Sequence, residues 1–341
     1  MEFCENVALA PYTTLGIGGP ARWFAEAASE SDVLEAVRWA REQTLPLFVL
    51  GGGSNLLVSD AGFPGLALRV MLKGIAAVGD GVYHTAAGED WDKFVERTVI
   101  DGSAGIECLA GIPGTVGGTP VQNVGAYGQE VAETIERVRV LDLETLACHE
   151  MSSAECGFAY RTSVFNSTAR GKFLVLRVDY RLRPSGVANL RYADLQKVFP
   201  TQAKPALTEV AAAVRRIRQS KGMLLVAGDP DCRSAGSFFK NPVIPERDMS
   251  EITARIGTRP PSWPAGEGFV KLPAAWLVEQ AGFRKGFTLG LAGISSRHSL
   301  ALVNRGGATA SDLLALRDAI VAGVREKFGI ELQMEPVLVG L

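Results

Sequence analysis

The sequence predicts an α+β fold of three units. Apolar stripes at helical spacing near Val33, Val210 and Leu313 indicate helices. Apolar runs of strand length near Leu47 and Leu174 indicate strands, and glycine clusters mark the joints. No internal repeat or low-complexity tract interrupts this pattern.

Taken in order, Ser29 and Asp32 read as a capping box before an amphipathic helix with Val33, Leu34, Val37 and Ala40 on one face. The run Leu47–Leu50 reads as a buried strand emptying into Gly51-Gly52-Gly53-Ser54-Asn55. Trp91, Phe94, Val95 and Thr98 share a helical face ahead of the glycine-rich stretch Gly111–Gly128. In Leu174–Leu182, an apolar face (Leu174, Leu176, Val178, Tyr180, Leu182) alternates with Arg177, Asp179 and Arg181, which is the period of a strand. Thr208 is placed as the cap of a helix whose buried stripe is Val210, Val214 and Ile217. Gly222–Asp231 reads as a loop or linker. A helix carrying Leu313, Leu316, Ile320 and Val324 then closes the third unit near Phe328, and Glu335 leads into a last short strand, Val337-Leu338-Val339. The expected division is therefore 1–72, 73–217 and 218–328, with a terminal strand in 329–341.

Composition narrows the function. The 341 residues carry a formal net charge of −2, with 47% hydrophobic and 21% charged residues, and no long run of one sign. Neither a nucleic-acid groove nor an anionic membrane surface is favoured. Met1–Asn6 lacks the basic start and apolar stretch of a signal peptide, and no window approaches the roughly 18 apolar residues that span a bilayer. Five scattered cysteines without a CxxC pair point to reduced thiols in the cytoplasm. Three histidines, His84, His149 and His298, share no metal-ligand spacing.

Two glycine clusters are the first candidates for chemistry. Gly51–Asn55 can aim backbone N–H groups at a phosphate, or can be a tight turn. It is not a Rossmann fingerprint, because Leu56 stands where the last glycine belongs. Gly111–Gly118 with Gln122–Gly128 is glycine-dense enough to suggest backbone wrapped around a large planar cofactor and its diphosphate, although a loop that binds nothing stays open. Arg161, amid Phe158–Phe165, must snorkel to water or pair with an anion. Ser234–Pro242 sets small residues, two aromatics, Lys240 and Asn241 in nine positions. Ser237 there reads either as a turn serine or as a poised hydroxyl, with no GxSxG elbow around it. On their own, Glu335, Tyr192, Trp263 and His298 read as surface or packing residues.

Together, and in this order, these segments resemble the UDP-N-acetylenolpyruvoylglucosamine reductase (MurB) family. The resemblance spans Thr13-Thr14-Leu15-Gly16-Ile17-Gly18-Gly19, Gly51–Asn55, Gly111–Gly128, Tyr160-Arg161, and Ala235–Pro242 with Glu335-Pro336. It implies a two-part FAD-binding module of the vanillyl-alcohol-oxidase (PCMH) type followed by a C-terminal α+β substrate-binding domain. It implies non-covalent FAD, with NADPH as co-substrate, and reduction of the enolpyruvyl double bond of a UDP-sugar in peptidoglycan precursor synthesis. The FAD contacts it implies are Gly51, Gly52, Gly53, Ser54, Asn55, Ile112, Pro113, Gly117, Gly118, Asn123, Gly125 and Tyr127. Arg161 and Glu335 would stabilise charge developing on the substrate carboxylate, Glu335 holding or sharing a proton, and Ser237 would donate a proton to the neighbouring carbon. Tyr160, Tyr192, Lys221, Asn241, Trp263 and His298 would contact substrate. The segment Leu190–Leu195 resembles the tyrosine-bearing loop of one subgroup, which closes over bound substrate. Leu15 stands where the family usually has an aromatic, and Trp263 where a tyrosine can stack near the uracil.

The chain is expected to act as a monomer on a small nucleotide-sugar substrate, without nucleic acid, membrane or metal. The competing readings are a flavin oxidase on the same module, with His84 or Cys108 as covalent attachment points, and a non-catalytic binder of a flavin or nucleotide sugar.

Overall fold

A computed structural model describes residues 1–200 and 203–341. Its contacts divide the chain into two interleaved units. One comprises Met1–Val7, Ala21–Gly53 and Phe63–Gln219; the other comprises Ala8–Pro20, Ser54–Gly62 and Ser220–Leu341. Segments 8–20 and 54–62, which the sequence reading left in the first unit, are thus built into the unit that carries the C-terminus. The reason is strand pairing: Leu56–Val58 lies parallel to Val337–Val339.

The first unit is built on two larger sheets. One has the order Cys4–Ala8, Pro20–Ala27, Phe63–Val70, Leu47–Leu50, and its last three strands are parallel. The helix Glu30–Glu42 starts at the expected capping box, with Ser29 accepting from Asp32 N and the Asp32 carboxylate taking the Ser29 N–H. Val33, Ala36, Val37 and Ala40 are its buried face, and Leu34 is half-buried. The strand Leu47–Leu50 forms as expected but is buried only at Leu50, because it lies at the sheet's edge.

The other sheet is antiparallel: Cys148–Ser152, Ile135–Asp142, Phe173–Arg181, Val82–Ala86, Ile75–Gly79. Its central strand carries the expected apolar face, but the polar face is not all in water. Asp179 is buried, held by Arg177 at 2.7 Å and by His84 Nδ1 at 2.7 Å. Desolvating that carboxylate is tolerable because the Arg177 guanidinium neutralises it and both partners hydrogen-bond it. Against this sheet packs the helix Trp91–Ile100, whose Trp91 and Phe94 rings lie 5.9 and 5.0 Å from that of Tyr180.

The helix Leu207–Ser220 begins one residue before the expected cap, so Thr208 lies inside it. Ala206 is the boundary residue, and the Glu209 carboxylate takes its N–H at 2.7 Å.

In the second unit, a four-stranded sheet runs Ser234–Ser237, Ala301–Asn304, Ala292–Ile294, Thr288–Leu289. A three-stranded sheet runs Val243–Pro245, Phe269–Lys271, Trp263–Pro264. Behind them lies the helix Ala310–Phe328, opened by a Thr309–Asp312 capping box and ended by Gly329 in the left-handed conformation. Its Leu313, Leu316, Ile320, Val324 and Phe328 are buried, each worth roughly 1.5–3 kcal/mol against exposure. Leu15 joins this core, fully buried, so the missing aromatic is replaced by an aliphatic filling.

Candidate active site

Within the first unit, the two glycine clusters meet. A Cβ added to Gly52 would lie 2.5 Å from Gly114 Cα, and one added to Gly51 would lie 2.8 Å from Thr115 Oγ1. Only glycine permits that backbone approach. The second cluster is also fastened to what precedes it: Trp91 N donates to Gly114 O, Val116 N to Glu89 O and Gly117 N to Ala87 O, at 2.8–3.1 Å. Gly118 is different. It is exposed, and a Cβ there would meet nothing within 4 Å. Ile112 and Pro113 are half-buried on the same loop. A cradle pressed together on one side and open on the other fits a cofactor lying against backbone.

Gly111 is gripped from both ends. Its N–H donates to Asp92 at 2.6 Å, and its carbonyl accepts from Arg218 Nε at 3.0 Å. Arg218 is buried and also hydrogen-bonded to Tyr127; burial pushes its guanidinium down, while Tyr127 and Asp92 push it up. Sequence reading missed this arginine. The available signal was its position, four residues after Val214 on the buried stripe of its helix.

Asn123 is buried and its amide is spent internally. Oδ1 accepts from Ala132 N, and Nδ2 donates to Glu130 and to Ala159 O. Arg161 sits with Tyr160 at the tip of a tight turn closed by the Ala159–Thr162 pair, at φ +54°. One guanidinium nitrogen donates to Gly125 O at 2.7 Å, and Asn166 Nδ2 holds the Arg161 carbonyl. The cation is therefore fixed to the glycine-rich segment.

The Tyr192 ring meets Tyr127 edge-on at 5.2 Å. Its segment is tied down by Asn189, whose Nδ2 donates to Gly128 O at 2.9 Å and whose N–H donates to Glu107 at 2.8 Å. Cys108 is fully buried, its thiol donates to Asn189 O, and burial pushes it well above the ordinary thiol range. His84 is engaged with Asp179. Neither is presented as a nucleophile for flavin attachment.

In the second unit, the segments that follow Ser237 and lead into Glu335 run side by side. Glu335 N donates to Phe238 O at 2.8 Å, Phe239 pairs with Met334, and Lys240 N donates to Gln333 O at 2.9 Å. Asn55 joins them: its Nδ2 donates to Glu335 O at 3.3 Å and its carbonyl accepts from Val337 N at 2.9 Å. Ser54 lies beside Thr14, whose hydroxyl donates to Ser234 O at 2.6 Å. Gly236, at φ +75°, bulges the strand just before Ser237. Asn241 Oδ1 takes Ala274 N at 2.9 Å and so starts the helix Ala274–Gln280. His298 Nδ1 accepts from Leu300 N at 3.0 Å. Trp263 is exposed on the edge of the three-stranded sheet, and Lys221 is half-buried before Gly222. Among the described residues no group of side chains could hold a metal ion, and no helix is long and apolar enough to cross a membrane.

Comparison with known proteins bears on both units. Residues 21–145 match the FAD binding domain family, and residues 229–339 match the family of the UDP-N-acetylenolpyruvoylglucosamine reductase C-terminal domain. The chain is 46% identical over 353 residues to the UDP-N-acetylenolpyruvoylglucosamine reductase of Thermobifida fusca, covering 100% of this chain and 99% of that one. The Streptomyces coelicolor reductase is 46% identical over 347 residues, at 99% and 90% coverage. The crystal structure of the Thermus caldophilus reductase superposes with a TM-score of 0.68 at 27% identity, covering 99% and 98% of the two chains.

Proposed function

The chain belongs to the UDP-N-acetylenolpyruvoylglucosamine reductase family, and from that premise we propose how its own residues run the reaction. The activity is FAD-dependent, NADPH-driven reduction of UDP-N-acetylglucosamine enolpyruvate to UDP-N-acetylmuramate, a step of peptidoglycan precursor synthesis. When bound, FAD supplies a hydride carrier between NADPH and the methylene carbon of the enolpyruvyl group.

Gly51–Gly53, Ser54, Asn55, Ile112, Pro113, Gly117, Gly118, Gly125 and Tyr127 would hold that cofactor. Asn123 would act through its backbone, since its side chain is committed elsewhere. As hydride arrives, negative charge moves onto the substrate carboxylate. Arg161, held in place by Gly125 O, supplies a fixed cation for it, and protonated Glu335 donates a hydrogen bond. Ser237 gives its hydroxyl proton to the adjacent carbon, completing the lactyl ether, and recovers a proton from water. Lys221 and Asn241 would meet the diphosphate, Trp263 and His298 the remaining nucleotide sugar, and Tyr160 and Tyr192 would cover it.

The observation that carries this assignment is the backbone ladder joining Glu335 to the Ser237 strand, with Asn55 bound to both Glu335 and Val337. It gathers three motif residues, far apart in sequence, into one small region. The reading includes a cytoplasmic location, supported by five free cysteines, and action as a monomer. The test is an anaerobic visible spectrum of the FAD-loaded protein, titrated with NADPH and then with the enolpyruvyl sugar. Flavin absorbance should bleach and then return without oxygen. Bleaching without return would remove the residue assignments.

A further inference from the structure

The loop between Lys221 and Ser237 is held by an ion cluster that the reaction as described does not use. Asp231 is buried, yet it is charged and amply satisfied. Its carboxylate accepts from Ser296 Oγ at 2.7 Å, Ser296 N at 3.3 Å, Arg297 Nε at 3.1 Å and Arg305 at 3.4 Å. Asp229 takes the other arm of Arg297 at 2.6 Å and also accepts Asp231 N at 3.0 Å. Cys232 closes the loop internally, its thiol donating to Leu224 O at 2.8 Å.

The clamp touches both ends of the loop. A Cβ on Gly222 would stand 3.0 Å from Arg297 Nε and 3.2 Å from Asp231 Cβ, so the guanidinium rests on the residue after Lys221. Downstream, the turn bearing Ser296 and Arg297 continues into Leu300 and Ala301. Leu300 O accepts Phe238 N at 2.8 Å, and Ala301 is the strand partner of Ser237. The circuit is closed: Lys221–Gly222, Arg297, Leu300–Ala301, Ser237, and back through Cys232 and Asp231.

We propose that Arg297 is a positioning residue for the sugar half of the reaction, setting Lys221 and Ser237 in register with each other by gripping Asp229 and Asp231. This rests on the roles given above to Lys221 and Ser237. A planar guanidinium suits the task, because its fork binds two carboxylates in a fixed plane where an ammonium would swivel. The cluster demands desolvated charge, which a mere loop closure does not need.

The experiment compares FAD-loaded wild type, Arg297→Lys and Arg297→Ala. Four quantities are read: calorimetric affinity of the oxidised protein for the enolpyruvyl sugar, anaerobic flavin reoxidation by that sugar, maximal bleaching by NADPH, and melting temperature. Arg297→Ala should weaken sugar affinity and reoxidation together, on the order of 10²-fold, the scale of a small misplacement of reacting groups. Arg297→Lys should recover part of the loss, and maximal bleaching should be unchanged. Wild-type sugar affinity and reoxidation in Arg297→Ala would overturn the proposal, as would a fall in both half-reactions that tracks lost stability. If Arg297→Ala does not fold, Arg297→Lys and Asp229→Asn carry the same comparison. Lys221→Ala and Ser237→Ala are run alongside. If both are silent, the underlying site reading falls and the clamp with it; if they impair the sugar step while the Arg297 variants do not, the clamp alone falls.

Discussion

Gly118→Ala separates a loop that is merely tight from a loop that waits for a ligand. Nothing lies within 4 Å of a Cβ placed there, and the residue is not among those at positive φ. In the cofactor-free protein the added methyl therefore meets no clash, and the stiffer unfolded chain favours folding by about 0.4–1 kcal/mol. If FAD lies along this open face, the same methyl intrudes on a packed contact at a cost of about 1–3 kcal/mol. At 1.4 kcal/mol per decade, that is a loss of roughly 5- to 150-fold in FAD affinity. The neighbouring glycine is the control. A Cβ on Gly117 would lie 2.7 Å from Ala87 Cβ, so Gly117→Ala should destabilise the apoprotein itself by about 1–3 kcal/mol. The assay is thermal melting of deflavinated proteins together with fluorescence titration by FAD. Wild-type FAD affinity in Gly118→Ala, or a loss of apo stability matching that of Gly117→Ala, would refute the reasoning.

Ser237→Ala should slow flavin reoxidation by the enolpyruvyl sugar by about 10²–10⁴-fold while bleaching by NADPH stays unchanged, as read in anaerobic stopped flow; equal rates in both phases would end the proton-donor assignment. Asn123→Ala removes the partner of the Ala132 N–H, so the urea midpoint of the apoprotein should drop by the equivalent of about 1–3 kcal/mol. For Asp229, the hydrogen bond from Arg297 holds the carboxyl below its ordinary range. A lowered folded-state pKa contributes stability that is complete above the unfolded value, about 3.9, and that disappears as pH falls through the folded value. Asp229→Asn should therefore melt below wild type at pH 7, and the gap should narrow below about pH 4; a gap that is absent at pH 7, or constant into acid, contradicts the ion pair.

Local signals were legible in the sequence wherever the physics is local. The capping box at Ser29, the face of Trp91–Ile100 and the stripe from Leu313 to Val324 depend on neighbours within a turn or two, and each formed as read. The motif segments were legible because glycine approaches and a turn-tip arginine leave compositional marks. Long-range pairing leaves none. Nothing near Leu56 announces that it will run beside Val337, so the interleaving of the units was invisible. The burial of Asp179 was invisible for a related reason: nothing in an alternating Arg-Asp-Arg run shows that His84 arrives from another strand. Arg218 and Arg297 were passed over similarly, since their partners lie at Gly111 and Asp92, and at Asp229 and Asp231.

The interleaving also governs the order in which the protein can be completed. The polypeptide passes from one unit to the other at Val7–Ala8, Pro20–Ala21, Gly53–Ser54, Gly62–Phe63 and Gln219–Ser220. During synthesis, Leu56–Val58 emerges long before its strand partner Val337–Val339. Joining them closes almost the entire chain into one loop, an entropically late event of high contact order. Residues 220–341 made alone would lack that strand, together with the Asp60 carboxylate that caps the Ala310–Phe328 helix at Ala310 and Ser311. Val337–Val339 therefore completes the half begun at Ala8. A chain truncated before Glu335 would lack both the strand that Leu56–Val58 pairs with and the glutamate proposed to serve the reaction.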